Sequence, residues 1–139
     1  MNNITIEKRK LKVPEYQLFR DTTGWDFIDD KVVEKALEKD LFSICVFSDD
    51  KPIGMGRIIG DGAIYFYIQD VIVLPEYKNK GIGKLIMNQI EKFIAKTANN
   101  NSFIGLMAAA NVKEFYYKFG YLERPDDRPG MYKTIKNSY

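Results

Sequence analysis

Ten residues, PEYKNKGIGK from Pro75 to Lys84, place Gly81 and Gly83 one residue apart where an apolar run hands over to an amphipathic one. Glycine at a helix start costs stability, so its presence there needs a reason. A strand that feeds a glycine-rich turn and then a helix can bind phosphate. The first helical amides point outward without partners, the helix dipole adds partial positive charge, and bare glycine lets phosphate oxygens reach the backbone. Lys78, Lys80 and Lys84 add charge around the same turn. The segment is neither a Walker loop, which needs GK[ST], nor the dinucleotide fingerprint, because Ile86 holds the place of the third glycine. The alternative is a plain glycine-bearing turn with solvated lysines. The second chemically notable residue is Asp70, inside the apolar run AIYFYIQDVIVL, Ala63 to Leu74. A carboxylate buried there needs compensation, which Arg57 or a backbone amide would supply.

Several chemistries are excluded. The 139 residues contain no histidine and a single cysteine, Cys45. This removes Ser-His-Asp and Cys-His catalysis, an internal disulfide, and zinc sites built on His or Cys clusters; no metal is expected. Cys45, early in the sheet, reads as a small core residue. The net charge of +2 is too small to argue for nucleic acid, and Lys8-Arg9-Lys10 reads as a solvated strand end. No apolar run reaches membrane-spanning length, and the N-terminus lacks the apolar segment of a signal peptide. The expected compartment is cytoplasmic, with no membrane partner.

The elements that must position these residues follow from periodicity. Ile4 and Ile6 alternate with polar neighbours as a first strand. Val13 to Thr22 is a helix opened by Pro14 and ended by Thr23-Gly24. Trp25, Phe27 and Ile28 form an apolar cluster in a loop. A second helix carries Val32, Val33, Ala36 and Leu37, with Asp29 and Asp30 at its front. Strands are expected at Phe42–Ser48, at Pro52–Ile59 (weakened by Gly54 and Gly56), and at Ala63–Leu74, the last covered on both faces. Ile82, Ile86, Ile90, Phe93, Ile94 and Thr97 form one stripe of a long helix. Phe103–Met107 is a further strand. Asn111 would cap a short helix as a capping box with Glu114, and Gly120 would end it. Met131–Ile135 would form a last strand. The order β-α-α-β-β-β-α-β-α-β describes an α+β or mixed α/β sheet in one domain, residues 1–139.

Two segments carry a family resemblance. DVIVLPEYKNKGIGKLIM, Asp70 to Met87, resembles the acetyl-CoA motif of the GNAT N-acetyltransferases: a strand, a proline, then Q/R-x-x-G-x-G/A opening the long helix. Here that hexad is Lys78-Asn79-Lys80-Gly81-Ile82-Gly83, with Lys78 where the family usually has Gln or Arg. NVKEFYYKFGY, Asn111 to Tyr121, is similar to the family's N-x-x-A-x-x-F-Y segment, with Glu114 in place of Ala. The resemblance implies a mostly antiparallel twisted sheet with helices on both faces and a splayed cofactor-binding strand. It implies that the backbone of Val71, Ile72 and Val73 meets the pantetheine arm of acetyl-CoA, and that the amides from Lys78 through Lys84 meet the pyrophosphate. Asn111 matches a cofactor-contacting position. Tyr116 matches the tyrosine that protonates the departing thiolate, a role suited to a phenol with a reference pKa of about 10.

Acetyl transfer needs a neutral amine. Asp70 is the candidate base, through a water, or else a structural partner of Arg57. A backbone amide near Val71 would hold the oxyanion. In this family the first helices and their loop shape the acceptor side, so Trp25 and Phe27, with acids nearby, are the candidate wall for a small-molecule or peptide amine. The alternative is a hydrophobic plug or a homodimer contact. The expected function is an acetyl-CoA-dependent N-acetyltransferase working by direct attack. The alternative is a non-catalytic acyl-CoA-binding sensor module.

Overall fold

The computed structural model describes residues 3–136. Their contacts form two units, one ending at Met107 and one starting at Ala108. The first unit is a five-stranded sheet in the order β1-β2-β3-β4-β5 with three helices. The strands are β1 (Ile4–Glu7), β2 (Phe42–Ser48), β3 (Lys51–Gly60), β4 (Tyr65–Val73) and β5 (Phe103–Leu106). Neighbours pair antiparallel except β4 and β5, which are parallel. The helices are α1 (Val13–Arg20), α2 (Asp30–Leu37) and α3 (Ile82–Thr97). The mixed α/β fold with helices on both faces is as the sequence implies.

Local chemistry sets the helix ends. Arg9 grips Glu15 with two hydrogen bonds of 2.9 Å, and Glu15 accepts from the Lys12 amide at the start of α1. The hydroxyls of Thr22 and Thr23 donate to the carbonyls of Phe19 and Arg20, closing α1 earlier than periodicity suggests. Asp29 caps α2 by accepting from the Lys31 amide. At the β3–β4 turn one oxygen of Asp61 accepts three amides, from Ala63, Ile64 and Tyr65, which lowers its pKa.

Alternate residues of the sheet face opposite layers. Cys45, Phe47, Met55 and Ile72 join Tyr16, Phe19, Val33 and Leu37 under α1 and α2. Ile44, Gly54 and Gly56 face α3 instead. The two glycines of β3, which weaken a strand by propensity, turn out to be the surface on which α3 lies. A side chain built at Gly56 would meet Ile86 at 2.7 Å and Ile90 at 3.0 Å. Ile86 and Ile90 are fully buried, and burial of each is worth about 1.5–3 kcal/mol.

The second unit holds α4 (Lys113–Tyr117), after which residues 121–136 carry no helix or strand. The expected last strand at Met131–Ile135 is therefore not formed; a short segment does not make a strand without a paired neighbour. Asn111 does not cap α4 either. The cap position is Val112, and Asn111 sits before it at φ +65°, a left-handed backbone that asparagine tolerates. The capping box with Glu114 is out of register by one residue. Among the described residues no helix is long and apolar enough to cross a membrane.

Gly56→Val is expected to lose about 1–3 kcal/mol by overpacking against α3. A thermal midpoint equal to that of the wild type would show that α3 does not depend on this close approach.

Candidate active site

The glycine turn and β4 form one continuous feature. After β4, Pro75–Tyr77 makes a single 3₁₀ turn, and the chain enters α3 through Asn79 at φ +62° and Gly81 at φ +83°. Gly81 is the N-cap, and its carbonyl accepts the first helical bond, from Leu85. The amides of Ile82, Gly83 and Lys84 precede that bond and point out of the helix end. Lys78, Lys80 and Lys84 are exposed around them. The ammonium groups of Lys51 and Lys80 lie 5.5 and 5.6 Å from the Tyr77 ring centre, which adds a cation from β3 to the same corner.

β4 loses its β5 partner part-way along. The last parallel pair is Ile68–Leu106, so Gln69–Val73 run on with β3 on one side only. Leu74 donates to the Ile53 carbonyl at 2.9 Å. By antiparallel alternation, Ile72 also turns its backbone toward β3, opposite Met55. Val71 and Val73 then turn theirs to the open side. Of the three residues expected to meet a pantetheine arm, Ile72 differs: its side chain is in the core and its backbone faces β3.

The strand also bulges. Met55 pairs with Ile72 and Arg57 with Gln69, so Gly56 alone stands opposite both Asp70 and Val71. The extra residue switches β4's later side chains to the other face. Asp70 adopts φ +57° and is 3 % exposed. Its Oδ2 accepts from the Tyr16 hydroxyl and from Arg57 Nη1, each at 2.7 Å, and its Oδ1 accepts from Gln69 at 3.1 Å. Arg57 also donates to Asp40, with a shortest contact of 2.7 Å. Burial opposes the charge on Arg57, but hydrogen bonds to Asp40 and Asp70 outweigh it and its pKa is raised. Burial, then the charge of Asp70, raises the pKa of Tyr16 as well. Burial pushes the Cys45 thiol up to about 12, which makes it a poor nucleophile.

The acceptor loop keeps Trp25 and Phe27 on the surface, 45 % and 74 % exposed. Trp25 has a cation already: Arg20 lies 5.3 Å over its ring, donates to the Asp26 carbonyl, and donates to the Tyr16 hydroxyl at 3.2 Å. In the second unit, Tyr116 packs edge-on against Phe115 and Tyr121. Its hydroxyl makes no side-chain hydrogen bond among the described residues, and burial raises its pKa. Tyr117 instead donates to Glu123 at 2.7 Å. Among the described residues no cluster of His, Cys, Asp or Glu could hold a metal ion.

The model of the GNAT acetyltransferase domain matches residues 9–130. The chain belongs to the GNAT family. It is 28% identical over 128 residues to an uncharacterized N-acetyltransferase, ycf52, of Porphyra purpurea, covering 89% of this chain and 72% of that one. A probable acetyltransferase from meticillin-resistant Staphylococcus aureus, whose function is described as unknown, superposes with a TM-score of 0.89 at 31% identity, over 96% of this chain and 100% of that one. A GNAT-family acetyltransferase from Streptococcus pneumoniae superposes at 0.81 with 26% identity, over 97% and 100%.

Within the GNAT fold, the turn residues Lys78 to Lys84 and the backbone of Val71 and Val73 lie on one strand–turn–helix. Asp70 sits beside them but is turned inward to Arg57. Tyr16 and Asp40, which complete that cluster, were missed from sequence. A buried carboxylate among apolar residues signals that donors must exist; periodicity does not say which helix brings them.

Asp40→Ala is expected to cost about 3–5 kcal/mol, because it strips a partner from a buried charge. In urea melts the double variant Asp40→Ala/Arg57→Met should lose less than the sum of the two single variants, although it leaves Asp70 buried without its cation. Two additive losses would contradict the ion-pair account.

Proposed function

We propose that this GNAT-family acetyltransferase moves an acetyl group from acetyl-CoA to a primary amine by direct attack, as a single N-acetyltransferase domain. One observation carries the reading. The open edge of β4 and the outward amides of α3 adjoin, so one segment offers hydrogen bonds to an extended arm and an anion site at its end. Acetyl-CoA supplies the activated thioester. Val71 and Val73 would pair with its pantetheine arm, as a strand pairs with an edge. The amides of Ile82, Gly83 and Lys84, with Lys78, Lys80 and Asn79 around them, would take the pyrophosphate. The Val71 amide would donate to the thioester carbonyl.

Tyr116 is the proposed acid for the departing thiolate. A hydroxyl without a hydrogen-bond partner among the described residues and a pKa raised by burial support this, since it keeps its proton at neutral pH. Asn111 remains a proposed cofactor contact, now freed from a capping duty. The geometry favours Asp70 as an anchor over Asp70 as a base, because both its oxygens already accept hydrogen bonds, Oδ2 from two buried donors and Oδ1 from the half-buried Gln69. The amine would then arrive neutral or lose its proton to water. Trp25 and Phe27 are proposed to border the acceptor. Because Arg20 covers Trp25, the cation of the amine would not be held on that ring face.

Thiol release over an amine panel tests the reaction. Tyr116→Phe is expected to bind CoA as wild type does and to lose roughly 10²-fold in kcat, the lower end of general-acid effects, while Tyr117→Phe stays near wild type. Binding without thiol release for any amine would favour a sensor module. Full kcat in Tyr116→Phe would remove the tyrosine acid.

Gly83→Ala tests the anion site better than any change at Gly81, where the left-handed backbone strains every side chain. Alanine suits a helix better by up to about 1 kcal/mol, so the fold should hold, while CoA affinity by calorimetry should fall roughly tenfold or more, about 1.4 kcal/mol. Unchanged affinity would place the pyrophosphate elsewhere.

A further inference from the structure

The bulge in β4 is the feature that turns Val71 outward, and an aspartate at φ +57° is a costly way to make one. Non-glycine residues in that region persist where their surroundings over-determine them. Here the surroundings are specific. The Asp70 carboxylate meets the Tyr16 hydroxyl from α1, the Arg57 guanidinium from β3 and the Gln69 amide from β4 itself. Arg57 is in turn fixed by Asp40, which also accepts from Ser43 at 2.7 Å. The Arg57 guanidinium lies 5.4 Å from the Tyr16 ring centre. Each of the charged side chains is almost wholly enclosed: Arg57 is 7% exposed, Asp40 and Asp70 1% each. Among the described residues no buried side-chain polar atom lacks a partner. A hydrophobic filling would stabilise such a position at least as well, so stability alone does not account for this cluster.

We propose that Tyr16, Arg57 and Asp40 are positioning residues for the transfer, clamping Asp70 in the left-handed bulge so that the Val71 amide is held toward the open edge of β4. They touch neither donor nor acceptor; they act through the backbone of Asp70 and Val71. The inference rests on reading that edge as the thioester site. Tyr16 is the informative member, because loss of its hydroxyl leaves Asp70 still paired to Arg57 and keeps the ring in the core.

Tyr16→Phe is expected to lower kcat between about 10- and 100-fold, the scale of a misplaced reacting group, with KM for acetyl-CoA within about twofold because the anion site is untouched. In the free protein, amide exchange should quicken at Ile72 and Leu74, whose amides face β3 just after the bulge, and stay as in wild type in β1, β2 and α3. This second readout needs no turnover, so it stands if the wild-type chain proves to acetylate nothing, a result that would sink the proposed function and leave the clamp to be judged on exchange alone. Wild-type exchange at Ile72 and Leu74 would overturn the clamp. So would loss of protection spread evenly over all strands, which marks a structural role only. Should Tyr16→Phe not fold, Gln69→Leu removes the third donor at a half-buried site. The same fall in kcat and the same local quickening of exchange are then expected, and wild-type exchange at Ile72 and Leu74 would again overturn the clamp.

Discussion

A positive charge in the middle of a sheet must be answered, and the rest of this fold is arranged around the answer given to Arg57. Its guanidinium lies between the carboxylates of Asp40 and Asp70. The first lies between α2 and β2, the second in the bulge of β4. The cluster therefore ties the segment ahead of β2 to both central strands. Tyr16 brings α1 into the same group. Burial of ionised groups is a net cost unless every partner is present, so the cluster is intolerant of partial assembly. Strand register, the bulge and the docking of α1 must all be correct at once. That requirement favours one arrangement over near alternatives in which the apolar core would be equally content.

The fold could be read largely from sequence because its signals are local. The stripe on α3 and the turn at Gly81 both depend on residues close in the chain, and α3 spans Ile82–Thr97 as its stripe implies. What escaped depends on pairing. Met131–Ile135 is a short run with apolar ends that pairs with no strand among the described residues, and Asn111 precedes α4 by one residue too many to cap it. Gly54 and Gly56 looked like defects in β3 until α3 was laid on them. Asp70 was conspicuous as a lone carboxylate, with Arg57 or a backbone amide as its candidate partner, and the structure supplies Arg57. Tyr16 was invisible as a ligand because its spacing on α1 is also that of a core residue, and it serves as both.

The bulge gives one residue two consequences. It switches the faces to which β4 directs its side chains, so that Ile68 pairs with Ile58 and Ile72 joins Met55 in the opposite core. It also comes where β5 ends, so the strand becomes irregular where it loses a neighbour. A regular strand would present evenly spaced groups along a full edge and invite another strand. A bulged, half-paired strand presents a short run of exposed groups in a fixed direction, better matched to a slender extended molecule than to a second chain.

The shifts in proton affinity along this chain all move outward from neutrality. Shifted carboxylates such as Glu15 and Asp61 go down, and the tyrosines Tyr16, Tyr67 and Tyr116 and the buried Cys45 go up. There is no histidine to occupy the interval between. These shifted groups keep one charge state through the neutral range, so acidification or alkalinisation near neutrality leaves their part of the electrostatic field in place. A response to pH near neutrality would then fall to the molecule the chain meets rather than to these side chains.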